Sequence, residues 1–203
     1  MQTDWQRHWF DFADAEKRAS SCWPVEIVSE AHLDRPGVLE YAVVTGPVCS
    51  LLVAWQSTAI VLSQLLQHKS VEETLAEWRQ NYPQQQWSAE SRMPFAVEAL
   101  LNGDHGGPII PLAMDGTAFQ LAVWKTLLLV PPGQIVSYGS LAAASGFPRG
   151  ARAVGTAMAD NPIPSLVPCH RVIRSDGQPG RYGSGTPLKV QMLQWETRHC
   201  CNI

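Results

Sequence analysis

The sequence predicts an α+β protein of mixed α/β character in two units, a small mixed unit over residues 1–110 and a mostly helical one over residues 111–203. Three observations carry this. First, the 203 residues are 45% apolar, enough to bury a core. Second, the net charge of −3 hides a division at Thr117: residues 1–116 hold 7 basic and 15 acidic side chains, residues 117–203 hold 8 and 3. Third, the hydrophobic pattern changes along the chain, from short Val- and Leu-rich runs early to helical periods broken by Pro and Gly late.

Taken in order, Trp5 and Trp9 lie one helical turn apart, a spacing that reads as core packing. Asp11 to Ala19 is polar and helix-friendly. Glu40 to Leu52 places Gly46-Pro47 between two apolar runs and predicts a hairpin. Val71 to Trp78 predicts an amphipathic helix, and Leu101 to Pro111, rich in Gly and Pro, a linker. Thr117 with Gln120 is a capping-box signature opening a helix over Ala118 to Val130, which Pro131-Pro132-Gly133 stops. Gln134 to Ser137 then reads as extended, Tyr138 to Ser145 as a short helix, Gly146-Phe147 as a turn and Pro148 to Asp160 as a second helix ended by Asn161-Pro162. Two short helices about a Gly turn make a helix-turn-helix.

Composition also excludes classes. The small net charge argues against an indiscriminate polyanion binder. No run approaches the roughly 18 apolar residues of a membrane span, and Asp4, Arg7 and His8 stand where a signal peptide needs an apolar stretch, so the expected location is the cytoplasm or a nucleoid. The five cysteines, Cys22, Cys49, Cys169, Cys200 and Cys201, include no CxxC pair and read as reduced thiols. His199, Cys200 and Cys201 are adjacent, a poor arrangement for chelating one ion, so no metal site is expected.

The second predicted helix is nearly all small residues with arginines at its start. Val154, Ala157 and Met158 would pack inward. Ala151, Arg152 and Gly155 would form a slim face suited to a narrow DNA groove, with close helix packing as the alternative. After it comes Ile163-Pro164-Ser165-Leu166-Val167-Pro168-Cys169-His170-Arg171-Val172. A lone cysteine there would be an inert buried thiol. On an extended chain His170 would point away from Cys169 and reach its proton only through a bridging water. An orienting carboxylate must come from Asp160, Asp176 or Glu196.

The Pro-Cys-His-Arg-Val segment, preceded by Asn161-Pro162 and the Ala151 to Gly155 helix, closely resembles the methylated-DNA–protein-cysteine methyltransferases, from Thr117 to Glu196 in unbroken order. The resemblance implies a ribonuclease-H-like N-terminal domain and a winged-helix-like C-terminal domain. It implies a monomer without cofactor that acts on double-stranded DNA carrying O6-alkylguanine. Cys169 would accept the alkyl group once, His170 serve as water-mediated base and Glu196 hold the imidazole. Arg152 would fill the gap left by a flipped base, Tyr138 give a proton to guanine N3, and Asn161 act as hinge. Val172 and the Tyr182-Gly183-Ser184 loop would bind guanine, Met158 and Pro164 line the apolar wall, and Ala151, Gly155 and Ser175 join Tyr138 and Arg152 at the DNA. The small residues after Tyr182 in the Tyr182-Gly183-Ser184-Gly185 loop depart from the family's usual ones, and Asp160 adds a negative charge before the hinge. Alkyltransferase-like binding proteins and helix-turn-helix regulators are the alternatives. Cys169 counts against the first, and the relay has no use in the second.

Overall fold

The computed structural model describes residues 3–15, 23–90 and 92–200. A six-stranded mixed sheet underlies the first half, formed by β1 (Val25–Ser29), β2 (Gly37–Thr45), β3 (Ser50–Gln56), β4 (Ala59–Leu65), β5 (Gln85–Ala89) and β6 (Ile110–Ala113), in the order β1-β6-β4-β3-β2-β5. β2, β3 and β4 form an antiparallel meander. The first hairpin turns at Gly46-Pro47 as expected, because Gly46 N donates to Cys49 O across the turn. β5 runs parallel to β2, and β6 parallel to both β1 and β4. Residues Leu51 to Trp55 are buried without alternation, as in strands covered on both faces.

Helix α1 spans Phe12–Ala15, and the rest of the polar stretch to Ala19 lies outside the described residues. α2 (Val71–Asn81) starts in a complete capping box between Ser70 and Glu73 and packs Leu75 and Trp78 on the sheet. α3 (Val97–Leu101) and β6 take up the two ends of the stretch expected to be a linker.

In the second half α4 (Ala118–Leu127) begins at the Thr117–Gln120 box and ends a turn earlier than predicted, in turns that lead to Pro131. β7 (Val136–Ser137) pairs in parallel with β8 (Val172–Ile173). α5 (Tyr138–Ala144) and α6 (Ala151–Ala159) flank a turn at Gly146, whose φ of 88° suits glycine. α6 starts later than predicted, with Gly150 before its first turn. The last helix among the described residues, α7 (Thr186–His199), packs against the turn formed by Cys169 to Arg171.

The tryptophan pair behaves differently from expectation. Trp5, in a 3-10 turn, is buried with Ile135, Ile173 and Leu193, so the start of the chain packs on the second half. Trp9 is 44% exposed, because its backbone bridges to Ile135 and its ring is turned outward. The main core is continuous between the halves, with Leu51 and Ile110 in one cluster with Val123, Leu166 and Cys169.

Candidate active site

Cys169, His170 and Arg171 form one turn of 3-10 helix rather than the extended segment expected from Pro168 and the apolar run before it. The tighter turn changes where His170 points, and it is pinned by Arg171 N donating to Pro168 O at 2.9 Å. Glu196 Oε1 lies 2.8 Å from His170 Nε2. An ionised carboxylate only accepts, so Nε2 carries the proton and Nδ1 holds the free lone pair. Nδ1 is buried without a protein partner among the described residues. Of the three carboxylates open to the sequence argument, Asp160 accepts from Gln120 and Asp176 pairs with Arg174, which leaves Glu196.

Arg171 is fully buried and unavailable to phosphate. Its Nη2 lies 2.8 Å from Glu196 Oε1, its Nε reaches both carboxylate oxygens, and Nη1 donates to Val130 O at 2.7 Å. The Trp23 ring covers it, 4.2 Å from guanidinium carbon to ring centre. Gly133 N donates to the second carboxylate oxygen at 3.1 Å. Although burial opposes ionisation, the Arg171 guanidinium and His170 hold the Glu196 carboxyl far below the usual carboxylate range. Burial pushes the His170 pKa down, opposed by Glu196 and assisted by Arg171, so His170 is neutral and can accept a proton.

Burial raises the Cys169 thiol, and Asn161, Lys189 and Tyr182 partly offset this. Sequence reasoning missed Lys189. It is fully buried, its Nζ 2.6 Å from Val172 O and 5.8 Å from the Tyr182 ring centre. Burial lowers its pKa to about 8, against the pull of Cys169. Its signal was in the sequence: Leu188, Lys189, Met192, Leu193 and Glu196 share one buried helical face, where an unexplained charge is rare.

Cys169 lies in a groove of about 730 Å³. Gly155, Met158 and Ala159 of α6 line it together with Tyr138, Asn161 and Pro164. Met158 therefore faces the groove as well as the core. The Arg181 to Ser184 loop closes another side. Asn161 Nδ2 donates to Val167 O and its Oδ1 accepts from Ile163 N, which ties the end of α6 to the segment bearing Cys169. Gly180, at φ 72°, leaves room for Tyr138, since a Cβ there would lie 3.3 Å from the hydroxyl. The Tyr138 and Tyr182 hydroxyls are both raised by burial with added repulsion from Cys169. Val172 O, expected to meet guanine, already accepts from Lys189 and has one lone pair left.

The other expected residues lie outside the groove. Arg152 is exposed on α6 and Ala151 half-buried at its start. Ser175 is exposed in the turn between Arg174 and Gln178, which Gln6 Nε2 anchors at Gly177 O. His199 stacks on Trp195 and Cys200 is buried. Cys201 lies outside the described residues, among which no His, Cys, Asp or Glu group suits a metal ion. No described helix is long and apolar enough to cross a membrane.

A family model described as the DNA-binding domain of 6-O-methylguanine DNA methyltransferase matches residues 118–198. The methylated-DNA–protein-cysteine methyltransferase of Methanosarcina barkeri is 35% identical over 156 residues, covering 77% of this chain and 96% of that protein. That of Shigella flexneri is 49% identical over 90 residues, 44% of this chain and 50% of that one. The crystal structure of Mycobacterium tuberculosis OGT in complex with DNA superposes with a TM-score of 0.64 at 30% identity, covering 79% of this chain and 94% of that one. Likeness to the first of these relatives spans both halves of the chain, and the chain belongs to the methylated-DNA–protein-cysteine methyltransferase family.

Proposed function

We propose that the protein repairs DNA by moving the alkyl group of O6-alkylguanine onto Cys169, irreversibly and once per molecule. The observation that carries this reading is the Glu196–His170 contact of 2.8 Å beside a buried thiol at a groove walled by Gly155 and Met158. His170 Nδ1 takes the thiol proton through one water, Sγ attacks the alkyl carbon in line, and the carbon–O6 bond breaks with its electrons going to guanine. The Tyr138 hydroxyl gives its proton to guanine N3 as that charge develops. Arg171 keeps Glu196 ionised and His170 neutral, while the Lys189 ammonium stabilises the thiolate. No cofactor enters these steps.

The reaction needs an extruded base, at a cost of a few kcal/mol. In this reading α5 and α6 are the helix-turn-helix of a winged-helix-like domain beginning near residue 111. Ala151 and Gly155 meet the DNA, Arg152 fills the gap, and Ser175 contacts a phosphate. Asn161 is the hinge, and Val172 with the Tyr182-Gly183-Ser184 loop hydrogen-bonds guanine against a wall of Met158 and Pro164. The first unit, residues 1–110, is ribonuclease-H-like in this reading. The protein acts as a monomer in the cytoplasm on double-stranded DNA.

Incubation with a duplex containing O6-methylguanine, followed by peptide mass analysis, tests the proposal. We expect one methyl group per protein molecule, on Cys169. Multiple turnovers or an unmodified Cys169 would overturn it.

A further inference from the structure

The groove has a wall that the alkyl-transfer reading does not use. The turn from β4 into α2 brings Gln67, His68 and Lys69 of the sheet unit to the groove that holds Cys169, facing Arg181 of the helical unit. The turn lies close to the active-site loop, with His68 Nε2 3.7 Å from where a Cβ on Gly185 would stand. Among the described residues, no carboxylate lines the groove. This is the reverse of the sheet unit's general character. Acidic residues outnumber basic ones there, yet none occurs between Glu40 and Glu72, and Lys69 is the only Lys or Arg between Arg35 and Arg79. The acidic half thus presents its longest acid-free stretch at the side where a polyanion would enter.

Resting on the transfer reading above, we propose that His68, Lys69 and Arg181 form a subsite for an anionic oxygen group at the mouth of the groove. The reaction offers such a group in two places: the phosphate beside the extruded nucleotide, or a carboxylate carried on the alkyl group. Lys69 Nζ rests 2.6 Å from both oxygens of Glu77. Both side chains are about half exposed, so the pair is worth little and exchanges readily for a phosphate. Glu77 then sets how freely Lys69 can engage.

Transfer rates to Cys169 should be compared on a duplex with O6-methylguanine, on the same duplex with uncharged methylphosphonates flanking the lesion, and on one with O6-carboxymethylguanine. Where the flanking phosphate is the anion, Lys69→Gln, alone or with His68→Asn, should lower the rate on the ordinary duplex by about three- to tenfold and reduce the salt slope by about one. Glu77→Gln should raise the rate, and Arg79→Gln, further along α2, should leave it unchanged. If the phosphate is the anion, the Lys69→Gln loss vanishes on the methylphosphonate duplex. If the adduct's carboxylate is the anion, the loss appears only with O6-carboxymethylguanine. An equal loss on all three substrates, or none on any, overturns the subsite. A wild-type protein that leaves Cys169 unmodified removes the transfer reading instead. Affinity for undamaged duplex at two salt concentrations, wild type against Lys69→Gln, then still reads the subsite.

Discussion

Two buried charges, Arg171 and Lys189, lie near the Cys169–His170 turn, and they differ in what they cost. Arg171 is compensated by Glu196, the Val130 carbonyl and Trp23. Glu196→Gln should therefore slow transfer and also destabilise the fold by about 3 kcal/mol, because it leaves the guanidinium unpaired in the interior. A denaturant midpoint equal to wild type would refute this. The carboxyl pKa is depressed in the folded state, so its stabilisation is present above the unfolded value near 4.5 and is lost as pH falls below it. Lys189 has one carbonyl partner and a pKa lowered to about 8 from 10.5. Between those values the unfolded chain binds more protons, so this group makes stability rise with pH there, and its cost is fully present below pH 8. Lys189→Met should stabilise the protein by about 1–3 kcal/mol at pH 7. It should also shift the pH profile of Cys169 alkylation by iodoacetamide upward, since the thiolate loses its cation. A more stable variant with an unchanged profile would remove Lys189 from the mechanism. The sequence motif made Cys169 and His170 legible, whereas the pairing of Arg171 with Glu196 depends on how α7 docks, which no local pattern encodes.

At the scale of elements, α6 shows why small residues were readable and the 3-10 turn was not. Val154 and Ala157 are buried and Arg152 is exposed, as the helical period requires. The turn at Cys169 follows from the Asn161 side chain and the Pro168 carbonyl, contacts that an apolar run does not announce. Nothing lies within 4 Å of a Cβ built on Gly155. Gly155→Ala should thus stabilise α6 by about 0.5–1 kcal/mol, while Gly155→Leu should block duplex binding if this face enters a DNA groove. Melting curves and duplex affinity check both, and undiminished affinity of the leucine variant would place DNA elsewhere. Arg152→Ala should lower transfer from duplex by about tenfold or more, about 1.4 kcal/mol, with a much smaller loss on the free base O6-methylguanine. Equal losses would deny Arg152 a role in base extrusion.

Across the whole molecule, the sheet unit holds the segment that bears Cys169. β4 receives it edge-on, with Ser63 N donating to Pro162 O at 3.0 Å and Ser63 Oγ to Pro164 O at 2.8 Å. Trp23 Nε1 donates to Leu166 O at 2.8 Å while its ring lies over Arg171. Between these anchors Ser165 adopts a φ of 72°, a left-handed conformation that a serine keeps only when its surroundings impose it. None of these long-range contacts could be read from the sequence, since Trp23 and Ser63 sit in stretches whose own patterns specify only strands and their borders. The division of charge was legible, but the physical junction between the halves was not. Trp23→Ala removes both the anchor and the cover, and should cost about 3–5 kcal/mol of stability while slowing transfer. Trp23→Phe keeps a ring over the guanidinium and loses one hydrogen bond, so it should cost about 1 kcal/mol with transfer largely retained. Denaturant unfolding and single-turnover rates on both variants test this. If the alanine variant, measured where it is fully folded, transfers as fast as wild type, the sheet unit supports stability alone and does not shape the site.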